Sequence, residues 1–585
     1  MRKILGKRTG LCLATLAVLA SGAAQAQQGD PLYRYQWHLM NYGQKVLGDT
    51  KPAFGIDLGI DDLHDYNIRG KGVIVGVLDA GIEIAHPDLA ANMVPNGSWN
   101  FNDNSHDTSP GDGGEAHGTA VGGIIGAVGW NGIGGRGVAP AAKLKSFNFL
   151  DANGSNDEIR YAWWDGALSK DVAVSNNSWG NTVPLFLPVV SENELAAWER
   201  PMSATRGGLG MIYVKAAGNS FASVEHRTFG ELCPASSRSV GCSQSFYDLE
   251  SNYFNVITVA AVNAAGKRSS YSTPGASMWV SGLGGEYGWQ AQTLRDGGIS
   301  DAVIARQEPV RFDPAMVTTD LSGCLNGYNV NPGEEGLNFN ALDSDQSAID
   351  ASCNYTGLMN GTSAAAPTVS GVVALMLQAN PKLTYRDVKY ILATTARQVD
   401  PTQAAVTKPD GTVLSAGWTT NAAGRAFSNW YGYGLVDATL ATTRASGFKS
   451  LGALRDSGWR QAALAAAQPI GGSAAPAQAT IRIDGGPGRV EAVQIGMASN
   501  YPLGFLESTT LRVTLISPSG TRAIVVPAGA ATADDTMTFD LAAVNAFLDE
   551  PGSGDWRLEV ADTGLAAGAD SLGDLTSFKI RVLGH

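Results

Sequence analysis

The chain has 585 residues, 44% hydrophobic and 16% charged, so it is long enough for several packed domains and is neither fibrous nor disordered by composition. Acidic residues outnumber basic ones by 54 to 41, and the formal net charge is −13. That balance argues against a nucleic-acid-binding protein, which needs Lys and Arg at the phosphates, and we expect no nucleic-acid partner.

The first 26 residues have the pattern of a secretory signal peptide. Four basic residues lie within 1–10, an apolar run follows over 11–20, and Ala24-Gln25-Ala26 fits a cleavage site. The apolar run is too short to span a bilayer, which disfavours a membrane anchor, and no other stretch reaches about 18 uninterrupted apolar residues. We therefore expect an exported protein, periplasmic or secreted from the cell, without a transmembrane helix.

Residues 27–445 mix short apolar runs with glycine-rich turns. The runs that are typical of buried parallel strands lie at 73–78, 211–214 and 256–259. Apolar residues at helical spacing occupy 367–378, and Thr-Tyr-Arg-Asp at 384–387 predicts a capping box that opens a further helix. Alternating strands and helices indicate an α/β domain with a mainly parallel sheet.

The composition changes after residue 445. Residues 446–479, rich in Ala, Gly, Pro and Gln towards their end, are predicted to form a linker. Over 480–585 the signals are those of short alternating strands, at 481–483, 511–516, 556–560 and 578–582. Such strands at regular spacing predict a β-sandwich.

Five cysteines are present, and Cys12 belongs to the predicted signal. The remaining four are an even number, which in an exported chain indicates two disulfides with three possible pairings. We favour Cys233 with Cys242 and Cys324 with Cys353, because each pair closes a local loop rich in Gly, Ser and Asn. Buried free thiols are the alternative, and a metal site is disfavoured because no His lies nearby at ligand spacing.

Three local signals point to catalysis, although each is weak by itself. Asp79 follows the run 73–78, where α/β sheets build active sites, but an Asp at a strand end is usually a turn or cap residue. His117 lies among small residues, and a lone His is more often structural. Ser363 lies just before the helix predicted over 367–378, where a serine is also a routine N-cap.

Together these residues form the set used in serine hydrolysis. His117 would deprotonate the Ser363 hydroxyl, and Asp79 would orient the imidazole and stabilise its cation. Asn219, in a Gly-Asn turn after the run 211–214, is a candidate donor to the oxyanion, with a purely backbone-shaping role as the alternative. An esterase is disfavoured because Ser363 lacks the G-x-S-x-G elbow.

Separate blocks of sequence resemble the subtilisin-like serine proteases, and more closely their kexin/furin branch, the proprotein convertases. The blocks are Asp-Pro-Leu at 30–32, Gln-Trp-His-Leu at 36–39, Val-Leu-Asp-Ala-Gly-Ile at 77–82, His-Pro-Asp-Leu at 86–89, Ser-Trp-Gly at 178–180, Gly-Thr-Ser-Ala-Ala-Ala-Pro at 361–367, Tyr-Arg-Asp-Val at 385–388, 431–438, 517–521 and 554–556. The resemblance covers residues 30–585. It implies a subtilisin-like three-layer α/β domain, then a jelly-roll-like P-domain, and an exported serine endopeptidase that works through an acyl-enzyme.

The resemblance also implies binding residues. Ser178, Trp179 and Gly180 would pair with an extended substrate as an added strand does, and Asp248 loosely matches an acid of the family's specificity pocket. A structural calcium ion is implied as cofactor, because the matching ligands all offer oxygen. They are the side chains of Asp30, Asp88 and Asn131 and the carbonyl groups of Val128, Ile133 and Gly135.

Three positions depart from the branch. It places acids shortly after Ser-Trp-Gly, an Asp after the catalytic Asp and a Glu at a second ion site, where this chain has Asn181, Ala80 and Thr273. A buried Lys or Arg facing no carboxylate would be costly. Cleavage after paired basic residues therefore stays open beside a broader or apolar first pocket, and Asp248 is the main acid left for the former.

Two further departures concern regulation. The branch usually carries a prodomain, whereas Asp30 follows the predicted cleavage site almost directly, so we expect folding that is unaided or that uses a separate helper protein. The segment 282–354 is longer than its counterpart and is either a surface insertion or a loop that limits access to the cleft. We expect a monomer acting on polypeptides. A catalytically idle or occluded binding protein that uses the P-domain is the alternative, disfavoured because all four catalytic positions are present.

Overall fold

A computed structural model describes residues 29–111, 113–150, 156–181, 183–226, 230–330, 338–344, 347–462, 464, 466–566 and 568–585. The predicted signal at 1–26 lies outside the described residues. The N-terminal part of the described chain is an α/β domain, and the C-terminal part consists of β-sheets.

Seven strands form one sheet in the N-terminal domain. They are β1 (Ile74–Asp79), β2 (Trp99–Asn100), β3 (Lys143–Asn148), β4 (Val174–Asn177), β5 (Ile212–Ala216), β6 (Val256–Val262) and β7 (Val280–Leu283). The spatial order is β2-β3-β1-β4-β5-β6-β7, and all neighbouring strands are parallel. The strand order reverses at β1, and ligands of open α/β sheets bind at such a switch point, outside the carboxyl ends of the strands.

Among the described residues, four helices have nine residues or more, and they are numbered here in chain order. They are α1 (His117–Gly126), α2 (Thr362–Ala379), α3 (Tyr385–Thr395) and α4 (Ala438–Ser446). Among the described residues, α2 is the one helix long and apolar enough to cross a membrane, but 89% of it is buried inside the protein. It contacts β4, β5, β6 and β7, so it is the central core helix of this domain.

Helix boundaries follow the local chemistry. The helix predicted over 367–378 begins five residues earlier, at Thr362, and contains Pro367 as its sixth residue. The predicted capping box is confirmed: the Thr384 side chain accepts from the Asp387 N–H, and the Asp387 carboxylate accepts from the Thr384 N–H. The predicted Ser363 therefore lies inside the first turn of α2 rather than before it.

The segment between β7 and α2 holds an antiparallel pair, β8 (Met316–Thr319) and β9 (Tyr355–Met359). The remaining short helices of the α/β domain are Asp61–Asp65, Asn156–Arg160, Glu192–Glu199, Pro201–Ala204, Ala291–Asp296 and Asp301–Ile304. Its remaining short strands are Glu225–His226, Gly230–Glu231, Val406–Thr407, Val413–Ser415, Thr419–Thr420 and Ala426–Phe427. These elements lie outside the seven-stranded sheet.

Two larger antiparallel sheets and one short two-stranded sheet make up the described C-terminal part. Their longer strands are β10 (Ala477–Ile483), β11 (Val490–Ser499), β12 (Leu511–Ile516), β13 (Arg522–Val526), β14 (Phe539–Val544), β15 (Gly554–Asp562) and β16 (Asp574–Gly584). One sheet has the order β10-β15-β12-β13, and in the other β11 lies between β16 and β14. Short strands Arg455–Asp456, Arg460–Gln461 and Gln468–Pro469, within the segment 446–479, pair with β16, and Glu507–Ser508 pairs with Ala531–Thr532.

The β-rich part packs against the α/β domain through polar contacts as well as apolar ones. Arg386 on α3 forms a buried ion pair with Glu491 on β11, with Nε 2.8 Å from Oε2. Arg581 on β16 donates to Glu199 at 2.9 Å. The two parts also share one continuous apolar core. Separating them would therefore expose buried charges as well as apolar surface.

The two predicted disulfides have different outcomes. Cys324 and Cys353 are bonded, which confirms the pairing across the segment before α2. The second predicted bridge is wrong in this structure, where Cys233 and Cys242 are buried free thiols. The loop between them does close and places both side chains in one apolar cluster, but no bond joins the two sulfurs.

Candidate active site

The first two predicted catalytic residues are hydrogen-bonded. Asp79 is the last residue of β1, and His117 is the first residue of α1, so the strand end and the helix start bring them together. The Nδ1 atom of His117 lies 2.7 Å from Asp79 Oδ1, which also accepts the Ala80 N–H at 2.8 Å. The Asp79 side chain is fully buried, whereas that of His117 is 22% exposed. The imidazole can therefore meet a substrate while its carboxylate partner stays out of water.

This pair changes the basicity of the imidazole. Burial alone acts to lower the pKa of His117, but the charge and hydrogen bond of Asp79 outweigh it, and the pKa is raised above its ordinary value of 6.5. Glu115 acts in the same direction. A carboxylate that holds Nδ1–H also leaves Nε2 as the acceptor, as a general base requires.

Ser363 lies in the first turn of α2 and exchanges two hydrogen bonds with Ser178. The Ser363 hydroxyl donates to the Ser178 carbonyl at 3.1 Å, and the Ser178 hydroxyl donates to the Ser363 carbonyl at 2.9 Å. The Ser363 carbonyl is open because Pro367, four residues on, has no N–H to donate to it. No hydrogen bond joins Ser363 to His117 in the described part of the chain, so the hydroxyl must rotate before it can lose its proton there.

Asn219 is held by its oxygen and leaves its nitrogen open. Its Oδ1 atom accepts from both the backbone N–H and the hydroxyl of Thr362, each at 2.9 Å. Gly361 has φ +96, and a Cβ there would lie 3.2 Å from Asn219 Nδ2, so the glycine lets the amide approach the start of α2. Within the described residues neither Asn219 Nδ2 nor the Ser363 N–H donates to another group, and both are free to donate to an oxyanion.

One cavity of about 240 Å³ joins the nucleophile to the predicted substrate-binding residues. Its lining includes Ser363, Asn219 and the stretch Ser178, Trp179 and Gly180, together with Asp248. The sequence therefore identified residues from four separate segments that the fold brings to one cleft.

Asp248 does not stand alone at this cavity. Its Oδ2 atom lies 2.9 Å from the ammonium nitrogen of Lys215, the fourth residue of β5. Sequence reasoning missed Lys215, although a lysine directly after the apolar run 211–214 is a signal, because lysines are almost never fully buried unless paired. It also missed Glu250, whose pKa is raised by burial and by the charge of Asp248.

The six predicted calcium ligands gather in one place. Asn131 Nδ2 donates to Asp88 Oδ1 at 2.7 Å, and the Asn131 N–H donates to Asp30 Oδ1 at 3.2 Å. Burial raises the pKa of Asp88 to about 7, with the charge of Asp30 acting in the same direction. The group contains two carboxylates. Among the described residues there is no cluster of three or more His, Cys, Asp or Glu side chains that could hold a metal ion.

The donor set fits a hard cation in part. Asp88 Oδ2 is buried without a hydrogen-bond donor, and no described group donates to the carbonyl oxygens of Val128, Ile133 and Gly135. Asp30 is the exception. Its Oδ2 accepts from the Nε of Arg136 at 2.7 Å, and this buried guanidinium also stacks on an aromatic ring. Asp88 and the carbonyls thus leave room for an ion, whereas Asn131 Oδ1 already accepts from the Ile133 N–H at 3.2 Å. Asp30 already has a cationic partner, Arg136, that was not predicted from the sequence.

Part of the segment 282–354 lies beside the catalytic pair. The Ser322 N–H donates to Glu83 at 2.8 Å, and the Gly113 N–H donates to Asn326 at 3.3 Å. Glu83 follows Asp79 in the chain, and Gly113 precedes His117. The disulfide-closed loop therefore borders the cleft on the side of the histidine.

The chain matches two protein families in the order of its two parts. Residues 70–434 match the subtilase family, and residues 492–582 match the proprotein convertase P-domain. It is 35% identical to an Aeromonas extracellular serine protease of Aeromonas sobria, over 95% of this chain and 91% of that protein. It is 27% identical to furin of Rattus norvegicus, over 95% of this chain and 58% of furin.

Solved structures agree with this assignment. The crystal structure of the serine protease of Aeromonas sobria is 34% identical and superposes with a TM-score of 0.81, covering 95% of this chain and 96% of that one. A structure of the same protease in complex with the chaperone ORF2 has a TM-score of 0.80 at 33% identity, over 95% of each chain. The chain therefore belongs to the subtilase family of serine proteases and carries a C-terminal P-domain.

Proposed function

We propose that this serine protease is an exported endopeptidase in which Ser363 is the nucleophile, His117 the general base and Asp79 its orienting carboxylate. The observation that carries the proposal is that α1 and α2, whose first turns hold His117 and Ser363, pack against each other. His117 is hydrogen-bonded to Asp79 there, and Ser363 shares one cleft with Asn219. The P-domain binding-protein alternative has no comparable support, because every group that hydrolysis needs is present.

Hydrolysis takes two steps in this arrangement. His117 Nε2 accepts the proton of the Ser363 hydroxyl, the oxygen bonds to the scissile carbonyl carbon, and the same proton passes to the leaving amine as the C–N bond breaks. Water then gives one proton to His117 as its oxygen bonds to the acyl carbon, and that proton passes to the Ser363 oxygen as the Ser363–acyl bond breaks and the acid is released. In both steps Asn219 Nδ2 and the Ser363 N–H donate to the carbonyl oxygen as it gains negative charge.

Substrate binding would also prepare the nucleophile. An extended peptide that pairs with Ser178, Trp179 and Gly180 can donate an N–H to the Ser178 carbonyl, which the Ser363 hydroxyl occupies in the free protein. Losing that acceptor leaves the hydroxyl free to turn towards His117. The resting contact is therefore compatible with activity.

The direct test is Ser363→Ala on a protein or casein-like substrate. We expect peptide hydrolysis to fall on the order of 10⁶-fold, because removal of the nucleophile abolishes the acyl-enzyme route. Ser446→Ala is the matched control, since Ser446 ends α4 and is exposed. Equal residual activity in the two variants would refute the assignment of Ser363.

We also propose a structural calcium ion held by Asp88, Asn131 and the carbonyls of Val128, Ile133 and Gly135, with Asp30 nearby and paired with Arg136. The open oxygens of this group support the proposal. An ion there would fix the loop after α1 to the loop after β1 and would take no part in hydrolysis. Calcium should raise the melting temperature, chelation should lower it, and Asp88→Asn should remove the response, whereas Asp103→Asn in an exposed loop should keep it.

The division of the chain is proposed as a signal at 1–26, a catalytic domain at 27–445, a connecting segment at 446–479 and a P-domain at 480–585. Pairing of the connecting segment with β16 indicates that it lies along the P-domain. Export is supported by the signal pattern and by a relative named as extracellular. A separate folding helper is supported by the Aeromonas protease solved with a chaperone, and refolding of the purified chain to full activity without additions would refute it.

A further inference from the structure

An almost fully buried ion pair lies next to the cavity beside Ser363. Lys215 has a side chain with no exposed surface, and its ammonium donates to Asp248 Oδ2 at 2.9 Å and to the Trp179 carbonyl at 2.5 Å. The remaining side of the ammonium lies against the Trp179 ring, 4.3 Å from the centroid. Every donor of the lysine therefore has a partner within the protein, and the charge is held in place.

Asp248 is the single ionisable side chain among the described residues that line this cavity, and 10% of its side chain is exposed there. A Cβ on Gly180 would lie 2.9 Å from Asp248 Oδ2 and 3.7 Å from the Lys215 nitrogen, so the ion pair lies directly beneath the substrate-binding stretch. The rest of the wall near it is uncharged, formed by Ala216, Gly218, Ser243 and Gln244. A substrate side chain that enters from Ser363 therefore meets one carboxylate and no other charge.

The carboxylate of Asp248 is already paired on one side. Its Oδ2 accepts from the Lys215 ammonium, whereas its Oδ1 is buried and has no hydrogen-bond partner among the described residues. Burial and the charge of Asp248 raise the pKa of Glu250 to about 8, so Glu250 is largely protonated at neutral pH and adds little negative charge. The positive charge of Lys215 holds the pKa of Asp248 below its ordinary value, although burial opposes it. The cluster of three groups is thus close to neutral.

We infer that Lys215 determines the specificity of this pocket by neutralising Asp248, so that the protein cleaves after uncharged side chains and discriminates against Lys and Arg. A substrate cation would have to share a carboxylate already paired, and it would approach a second ammonium in a site of low dielectric. The inference rests on the proposed function, because it treats the cavity beside Ser363 as the pocket for the residue before the cleaved bond.

The experiment compares peptides that are identical except for the residue before the cleaved bond, which is Met, Gln, Lys or Arg. The unmodified protein should cleave the Met and Gln peptides on the order of 10²-fold faster, by kcat/KM, than the Lys and Arg peptides. Faster cleavage after Lys or Arg would overturn the inference. This measurement needs no variant and so does not depend on one that folds.

Lys215→Met should reverse the preference, because it leaves the Asp248 charge uncompensated and open to a substrate cation. The matched control is Lys145→Met: Lys145 is a buried lysine of β3 that pairs with Asp171 at 2.6 Å, outside the cavity lining. The control should keep the preference of the unmodified protein. An unchanged preference in folded Lys215→Met would assign the discrimination to other residues and refute the role of Lys215.

A binding measurement separates this inference from the proposed function. Fluorescently labelled peptides that end in Met or Lys should bind to the Ser363→Ala protein with the same order of preference, since binding requires no nucleophile. If no peptide is cleaved but Met-ended peptides bind more tightly, the assignment of the nucleophile fails and the inference about the pocket stands. Tighter binding of Lys-ended peptides would overturn the inference whether or not the protein is active.

Discussion

Two buried carboxylates near Ser363, Asp79 and Asp248, each hydrogen-bond a basic side chain. One pair serves proton transfer and the other sets the charge of a pocket. Asp79 holds His117 at 2.7 Å, and Asp248 holds Lys215 at 2.9 Å. The imidazole is 22% exposed and its pKa is raised above 6.5, whereas the ammonium has no exposed surface. The first partner can exchange a proton with a bound substrate. The second is enclosed by the protein and acts through its charge.

The comparison shows that exposure of the basic partner, rather than the presence of an ion pair, separates a catalytic pair from one that shapes a pocket. Both carboxylates are reached from the carboxyl ends of parallel strands, β1 for Asp79 and β5 for Lys215 beside Asp248. The same edge of the sheet therefore carries the pair proposed for proton transfer and the pair that neutralises the charge of the pocket. Each pair can be disrupted by its own substitution. Loss of the Asp79–His117 pair should lower activity, and loss of the Asp248–Lys215 pair should lower stability.

Asp79→Asn should have the largest effect. The amide cannot hold the His117 tautomer that leaves Nε2 as an acceptor, and we expect kcat to fall about 10⁴-fold. Stability should change little, because a neutral His117 needs no counter-charge and the amide oxygen can still accept the Ala80 N–H. Peptide hydrolysis and urea unfolding should be measured on the same preparation. A fall in kcat of less than tenfold would contradict the role of Asp79.

Asp248→Asn should mainly lower the stability of the protein, whereas Asp79→Asn mainly lowers kcat. It leaves the Lys215 ammonium buried without a carboxylate, and breaking a buried pair in this way costs about 3–5 kcal/mol. The double variant Asp248→Asn/Lys215→Met should regain much of this free energy of unfolding, because neither charge is then left alone. Unfolding in urea measures both. A single variant as stable as the unmodified protein would show that Lys215 does not depend on Asp248.

Asn219→Ala should have a smaller effect than Asp79→Asn or Asp248→Asn. It should leave both ion pairs intact. Its Nδ2 group donates only to the oxyanion that forms during the reaction, so we expect kcat to fall about 10²–10³-fold with little change in KM. Asn181→Ala is the matched control, since Asn181 lines the same cavity without a proposed role in catalysis. Equal losses in the two variants would mean that the amide of Asn219 does not reach the oxyanion.

Much of this cleft could be predicted because its signals are local in sequence. Asp79 ends an apolar run, Ser363 begins an apolar helix, and the Thr384 capping box spans four residues; each is recognisable without knowledge of the fold. The Cys324–Cys353 bridge follows from a loop rich in small residues for the same reason. Short-range order was therefore predicted well, within a few residues at the element ends.

The rest depends on which segments become neighbours. The pairing of Lys215 with Asp248 requires a strand and a later turn to meet beneath Gly180, and no spacing in the sequence indicates this. Arg136 reaches Asp30 across a hundred residues and changes the predicted calcium site for the same reason. The thiols of Cys233 and Cys242 illustrate a different limit, because a loop that closes does not determine whether its two sulfurs form a disulfide.

The dependence of kcat/KM on pH should show the smallest effect. It should also distinguish the Asp79–His117 pair from the Asp248–Lys215 pair most clearly. Asp79 raises the pKa of His117 above 6.5, and catalysis needs the neutral imidazole, so the acid limb of kcat/KM should have its midpoint above pH 6.5. The sign for stability is opposite. The ion pair stabilises the folded protein fully below pH 6.5, and this contribution is lost as pH rises through the higher folded-state pKa, so activity increases where stability declines slightly. Asp79→Asn should move the residual acid limb to lower pH, and Asp248→Asn should leave it in place. A limb at or below pH 6.5 in the unmodified protein, or one that follows Asp248 rather than Asp79, would mean that the two carboxylates do not divide the work between proton transfer and pocket charge.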